Sequence, residues 1–317
     1  MKTGMIVAAA AAAVAVCGLL GAGYYVFRVA CRRARELPWE DGAALQSTAW
    51  APMADRIQEG FAWLKRHRAQ EVWVTSDDGL KLRAQWVGAV DAAGTIILMH
   101  GYRSCPQADF SMVLDFYHRL GFNLLLPDQR SCGKSEGKYI TFGVLERLDL
   151  LRWIQWHNAT VGKQDLFLTG MSMGASTVLM ASGEDLPENV RGIVADCGFT
   201  SPWDIICRQV RHQLHIAPEP VVWCAGLFAR MLGKFDLRRV STVKAVQRCT
   251  VPVLLVHGTG DRYVPCEMTK AAYAACPGEK QLILVEGAGH GLSYVVDQPR
   301  CQSALENFFM EHLSRKK

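Results

Sequence analysis

Six short, nearly unbroken apolar runs constrain the fold of this chain more than any other feature. They are 95–99 (TIILM), 123–126 (NLLL), 165–169 (DLFLT), 192–195 (GIVA), 251–256 (VPVLLV) and 281–285 (QLILV). A strand with one face in water alternates apolar and polar residues. A strand without alternation is buried on both faces, which points to a parallel sheet covered by helices on each side. Helical periodicity at 110–120, 142–157, 173–182, 267–275 and 298–313 supplies that cover. Upstream, 71–76 and 81–87 alternate around Asp77-Asp78-Gly79, as an antiparallel hairpin does. The expected class is α/β: a doubly wound, mostly parallel sheet preceded by a hairpin.

One connection is too long for a plain loop. About fifty residues separate the runs at 192–195 and 251–256, so the spacing predicts a helical insertion at about 199–248. Those helices either form a small cap over the sheet edge or pack on the sheet with no role at a site. Residues 37–70 read as a connector with an amphipathic helix near 54–67, and 71–317 as the main domain.

Residues 3–27 carry no charge, and as a helix they reach about 37 Å against about 30 Å of bilayer hydrocarbon. Tyr24, Tyr25 and four arginines (Arg28, Arg32, Arg33, Arg35) follow where an interfacial belt belongs. The segment 1–36 is therefore expected to be a transmembrane anchor with a basic flank. A cleaved signal peptide, with a secreted product, is the alternative. The basic bias after the apolar stretch favours a cytoplasmic main domain. This flank also accounts for the charge. Five of the 35 basic residues and one of the 30 acidic residues lie in 1–36, leaving 30 against 29. A nearly neutral body offers no footprint for nucleic acid. The 11 cysteines, an odd number with no CxxC, read as small buried hydrophobes rather than a disulfide framework.

Gly170-Met171-Ser172-Met173-Gly174 directly follows one apolar run and opens a helix. In that context G-x-S-x-G is a strained strand-to-helix turn that projects a serine hydroxyl, making Ser172 the candidate nucleophile. The helix start places N–H groups and its dipole near a developing oxyanion. The base follows in chain order: His290, in a Gly-rich loop just after the run 281–285, is expected to take the proton. His312, in the polar tail of the last helix, is expected to be solvated. Asp261, in His257-Gly258-Thr259-Gly260-Asp261, is the expected third member, with Asp196 as its rival. Oxyanion donors are expected from the backbone of Met173 and Tyr102, with His100 bracing its turn. Phe199 and Trp203 are candidates for pocket lining. His212 and His215, with Cys207 and Cys224 nearby, lack a carboxylate that would complete a metal shell, so no metal is expected, nor any other cofactor.

These segments, together with Asp128-Gln129-Arg130-Ser131-Cys132-Gly133-Lys134-Ser135, Val264-Pro265 and Gly289-His290-Gly291, resemble the α/β-hydrolase superfamily. They are most similar to its serine-aminopeptidase-like branch, which includes many bacterial membrane-anchored hydrolases of unassigned substrate. The resemblance covers about residues 70–315. It implies an eight-stranded sheet and hydrolysis of an ester, amide or thioester through an acyl-enzyme. One departure is Ser131, where the family usually has glycine. The expected partners are a small or lipid-like acyl substrate and, through the first helix, a membrane. An acyltransferase or thioesterase with the same residues, or a silent scaffold that only binds, remain alternatives.

Overall fold

The computed structural model describes residues 2–35, 37–48 and 50–314. Met1 and Glu36, the outer ends of the expected anchor segment, and the tail 315–317 lie outside the described residues. Eight strands form one sheet: β1 (Gln70–Thr75), β2 (Lys81–Val87), β3 (Gly94–Met99), β4 (Phe122–Pro127), β5 (Leu166–Met171), β6 (Val190–Asp196), β7 (Val253–Gly258) and β8 (Lys280–Val285). Their order is β1-β2-β4-β3-β5-β6-β7-β8. β2 pairs antiparallel with both neighbours, and every pairing from β4 to β8 is parallel.

The apolar runs are continuous because each strand feeds two cores. Ile96, Leu98, Leu254 and Val256 meet one layer, where helices Leu114–Arg119 and Gln298–His312 lie. Ile97, Met99, Val253 and Leu255 meet the other, against helices Glu146–Thr160, Met173–Ala181 and Cys266–Ala275. The period of two survives in the packing although hydropathy hides it.

Element boundaries shift for local reasons. The helix expected from 142 begins at Glu146, because the Glu146 carboxylate accepts the backbone N–H groups of Thr141 and Gly143 and so closes a turn ahead of it. The helix expected at 110–120 is two, Pro106–Phe110 and Leu114–Arg119. His312 is buried, with Nδ1 donating to the Phe308 carbonyl at 2.7 Å and Nε2 at 3.1 Å from Glu279, so it is not the solvated side chain expected.

Between β6 and β7 the chain builds helices Pro202–Leu214, Pro218–Phe228 and Thr242–Val246. This insertion shares a core with the N-terminal helix Lys2–Cys31, whose Val26, Phe27 and Cys31 are buried there beside Val222 and Phe235. The helix is continued into the domain. Arg32 bridges Tyr139 in an antiparallel backbone pair, and Arg33 donates to the carbonyls of Gly133 and Ser135 at 2.6 and 2.7 Å. Residues 22–33 are thus packed into the main body, where sequence alone suggested a separable segment ending at 36.

Candidate active site

Three parallel strands, with β6 between the first two, deliver three polar side chains to one edge of the sheet. Ser172 follows β5, Asp261 follows β7 and His290 follows β8. The C-terminal edge of such a sheet is open, because the strands end there while the helices turn back.

Ser172 stands at φ +54°, a left-handed value that non-glycine residues seldom take. The turn holds because the Ser172 N–H donates to the Asp196 carbonyl at 2.8 Å and helix Met173–Ala181 begins immediately after. The flanking glycines are obligatory. A Cβ at Gly170 would run into the carbonyl of Gly174, and one at Gly174 into that of Met99.

His290 lies between the other two. Its Nε2 is 2.9 Å from Ser172 Oγ and its Nδ1 is 2.6 Å from Asp261 Oδ2. Asp261 is fully engaged: Oδ1 accepts from the N–H groups of Tyr263 and Val264, and Oδ2 also lies 3.2 Å from His257 Nε2. Burial opposes its ionisation, but the hydrogen bonds from His257 and His290 outweigh that and hold the carboxyl well below the usual range. Asp261 is thus an anion at neutral pH, and Nδ1 of His290 carries the proton facing it. Nε2 is then left to accept from the Ser172 hydroxyl.

Asp196 lies close to this chain without joining it. Its side chain is 3.4 Å from Ser293 Oγ, and burial, partly offset by His257 and His290, pushes its carboxyl up to about 6. Sequence reasoning gave no role to two further residues. His257 is fully buried, with Nδ1 2.6 Å from Thr269 Oγ1, and it steadies Asp261. Asp109 accepts from the Gly101 N–H at 2.5 Å and from Ser104 Oγ at 2.6 Å, and so ties down the loop after β3. His257 had a signal in its spacing to Asp261. Asp109 had none, because its partners depend on how the short helix Pro106–Phe110 folds back.

In that loop His100 Nδ1 donates to the Gly101 carbonyl at 2.8 Å and Nε2 accepts from the Gln129 N–H at 3.1 Å. The segment that resembles the family's D-x-R motif is likewise structural: Arg130 forks onto Asp149 at 2.6 and 2.7 Å, and Asp128 accepts from Arg83. Ser131 takes φ +64°, the conformation that a glycine would adopt freely.

A cavity of about 290 Å³ opens at Ser172 and His290 and runs over the first-layer face of the sheet. Phe110, Val113, Val194, Leu292, Val295 and Leu305 make its walls apolar, while Trp50 and Met53 of the connector also border it. Tyr102 borders it too, stacked on Phe142 at 5.1 Å. Phe199 and Trp203 do not. Phe199 turns into the insertion's core 6.4 Å from Phe142, and Trp203 is held by the Arg238 guanidinium 3.8 Å from its ring. No residue of 199–248 lines the cavity. His212 and His215 are exposed. The Cys197 thiol lies within 4.8 Å of the Asp261 and His290 donor atoms, a possible metal set only if the hydrogen bonds just described were given up.

Fold and site together define a hydrolase of the α/β class. A family model described as "Alpha/beta hydrolase family" matches residues 96–301, and the chain belongs to that family. It is 26% identical over 236 residues to the uncharacterized protein YqkD of Bacillus subtilis, covering 74% of this chain and 77% of YqkD. Among solved structures it is similar to the Pyrococcus furiosus esterase Pf2001, with a TM-score of 0.64 and 24% identity over 79% of this chain and 94% of that one. A membrane phospholipase A described as a bacterial virulence factor shares the fold at a TM-score of 0.56 and 15% identity, covering 83% and 93%.

Proposed function

We propose that this hydrolase is a serine esterase that cleaves esters with an apolar acyl group, held at a membrane by its first helix. The observation that carries the reading is His290 bonded to Ser172 on one ring nitrogen and to Asp261 on the other. As Ser172 Oγ attacks the acyl carbonyl, His290 Nε2 takes its proton and Asp261 stabilises the imidazolium. The oxyanion accepts from the backbone N–H groups of Met173, at the helix start, and Tyr102. His290 then protonates the leaving alkoxide, and a water repeats the sequence on the acyl-enzyme. The apolar cavity beside Ser172 suits an acyl chain far better than a charged aminoacyl group. Similarity to an esterase and to a membrane phospholipase A agrees with ester chemistry.

The helix span Met5–Cys31 is long and apolar enough to cross a bilayer, and the arginines after it support a cytoplasmic domain. The test is labelling by a fluorophosphonate probe, followed by a panel of p-nitrophenyl esters of increasing chain length beside aminoacyl and thioester substrates. Probe labelling and a preference for the longer acyl esters support the reading. Absence of labelling in folded protein, or a preference for aminoacyl substrates, overturns it.

A further inference from the structure

Beyond the N-terminal helix, exposed large apolar side chains gather in one stretch of the insertion. Leu214, Ile216, Trp223, Leu227, Met231 and Leu232 are between 41% and 58% exposed. Helix Pro218–Phe228 is apolar nearly all round, yet it is covered along one side, where Val221, Val222 and Ala225 meet the core and the N-terminal helix packs, while Trp223 and Leu227 stay exposed. That crossing is tight: a Cβ at Gly23 would collide with Cys224, and the rings of Tyr24 and Phe228 lie 5.1 Å apart. Clustered apolar exposure of this kind marks a contact with a partner or a membrane.

The length of the free helix decides between them. Exposure is continuous from Thr3 to Gly18 wherever side chains are described, and packing begins at Leu19. Sixteen residues rise about 24 Å, less than the roughly 30 Å of bilayer hydrocarbon. A helix that crosses must therefore draw residues past Leu19 into the hydrocarbon, together with whatever is packed along them. The contacts of Gly23 with Cys224 and of Phe27 with Phe228 advance together, so the two helices run roughly parallel. The Pro218 end of the insertion helix thus faces the bilayer first. Arg28, Arg32, Arg35 and Lys138 border a groove with Tyr24 and Leu232 further along, at the depth of a headgroup layer.

We infer that the insertion seats on the bilayer itself, its apolar Leu214–Trp223 end immersed and its basic groove on anionic phospholipid headgroups. The inference rests on reading the first helix as a membrane anchor. The test uses the full chain in vesicles of phosphatidylcholine and phosphatidylglycerol, with an environment-sensitive dye at Ile216→Cys or Val90→Cys in a Cys17→Ser background. Val90 is exposed in the turn before β3, at the opposite end of the strands. Lipids brominated in their acyl chains should quench the dye at 216 several-fold more than the dye at 90, and aqueous iodide should do the reverse. Equal iodide quenching at both positions, in protein that resists carbonate extraction, overturns the seat while leaving the anchor intact. Protein that carbonate extracts lacks the anchor, and the dye at 216 still decides the seat: lipid quenching upholds it and iodide quenching overturns it. Replacing Leu214, Ile216 and Trp223 together by serine should lower kcat/KM on a vesicle-borne ester about tenfold and leave a soluble acetate ester unaffected. Equal rates on the vesicle-borne ester also overturn the seat.

Discussion

The phenolic O–H of Tyr102 donates to the backbone carbonyl of Ala30 at 2.7 Å, so the loop after β3 is bonded to the last turn of the N-terminal helix. Arg103 reinforces the join, donating to the carbonyls of Val29 and Arg32 at 2.6 and 3.1 Å. The helix and the proposed oxyanion donor therefore share a fixed geometry.

No proposed catalytic group precedes residue 100, yet residues 22–33 pack into the main body and hold the loop after β3, so removing residues 1–36 should reach the site. The shortened chain should be less stable and slower on a soluble ester, because it loses the Phe27 side chain from its core. Phe27→Ala alone should cost about 3 kcal/mol in urea unfolding. Tyr102→Phe should lower kcat about fivefold with KM little changed, as one hydrogen bond of about 1 kcal/mol is lost. Wild-type kinetics and unfolding in the shortened chain would show the helix to be dispensable.

Ser172→Ala should abolish probe labelling and reduce ester hydrolysis by about 10⁴-fold or more, with circular dichroism unchanged. Substantial residual turnover in contaminant-free protein would place the nucleophile elsewhere.

Asp261→Asn should cost far more activity than Asp196→Asn, because only Asp261 contacts the His290 ring. Stability should respond to pH in opposite senses at the two positions. Asp196 has its folded value raised to about 6 from 3.8, so between those values the native state keeps a proton that the unfolded chain has released. That contribution makes stability fall as pH rises through this window. Asp196→Asn should therefore gain on wild type by at most about 3 kcal/mol, fully above pH 6 and hardly at all at pH 4. Asp261, held low, stabilises the fold above the ordinary carboxylate range and loses that contribution as pH falls. Urea titrations at pH 4 and pH 7 measure the Asp196 contribution, and extending them below pH 4 reaches that of Asp261.

Ser131→Gly should stabilise the protein by about 1 kcal/mol in thermal or urea unfolding. It relieves the left-handed strain and removes a buried hydroxyl that has no hydrogen-bond partner among the described residues. A destabilised variant would mean that glycine's extra unfolded-state freedom outweighs both terms.

The order of elements and the positions of Ser172, Asp261 and His290 were legible in the sequence, because each depends on local chemistry. An unbroken apolar run specifies a strand buried on both faces, and G-x-S-x-G between a strand and a helix specifies the turn. What faces the cavity was not legible. Phe199 and Trp203 follow β6 closely in sequence, yet the turn through Cys197, at φ +51°, sends them to the insertion, while Trp50 and Met53 reach the cavity from the connector. The same holds for the first helix. Its composition announces a bilayer-length apolar span, but hydropathy cannot distinguish residues that meet lipid from Val26 and Phe27, which meet Val222 and Phe235. Burial against a distant segment is a property of three-dimensional packing, and only the tertiary structure decided it.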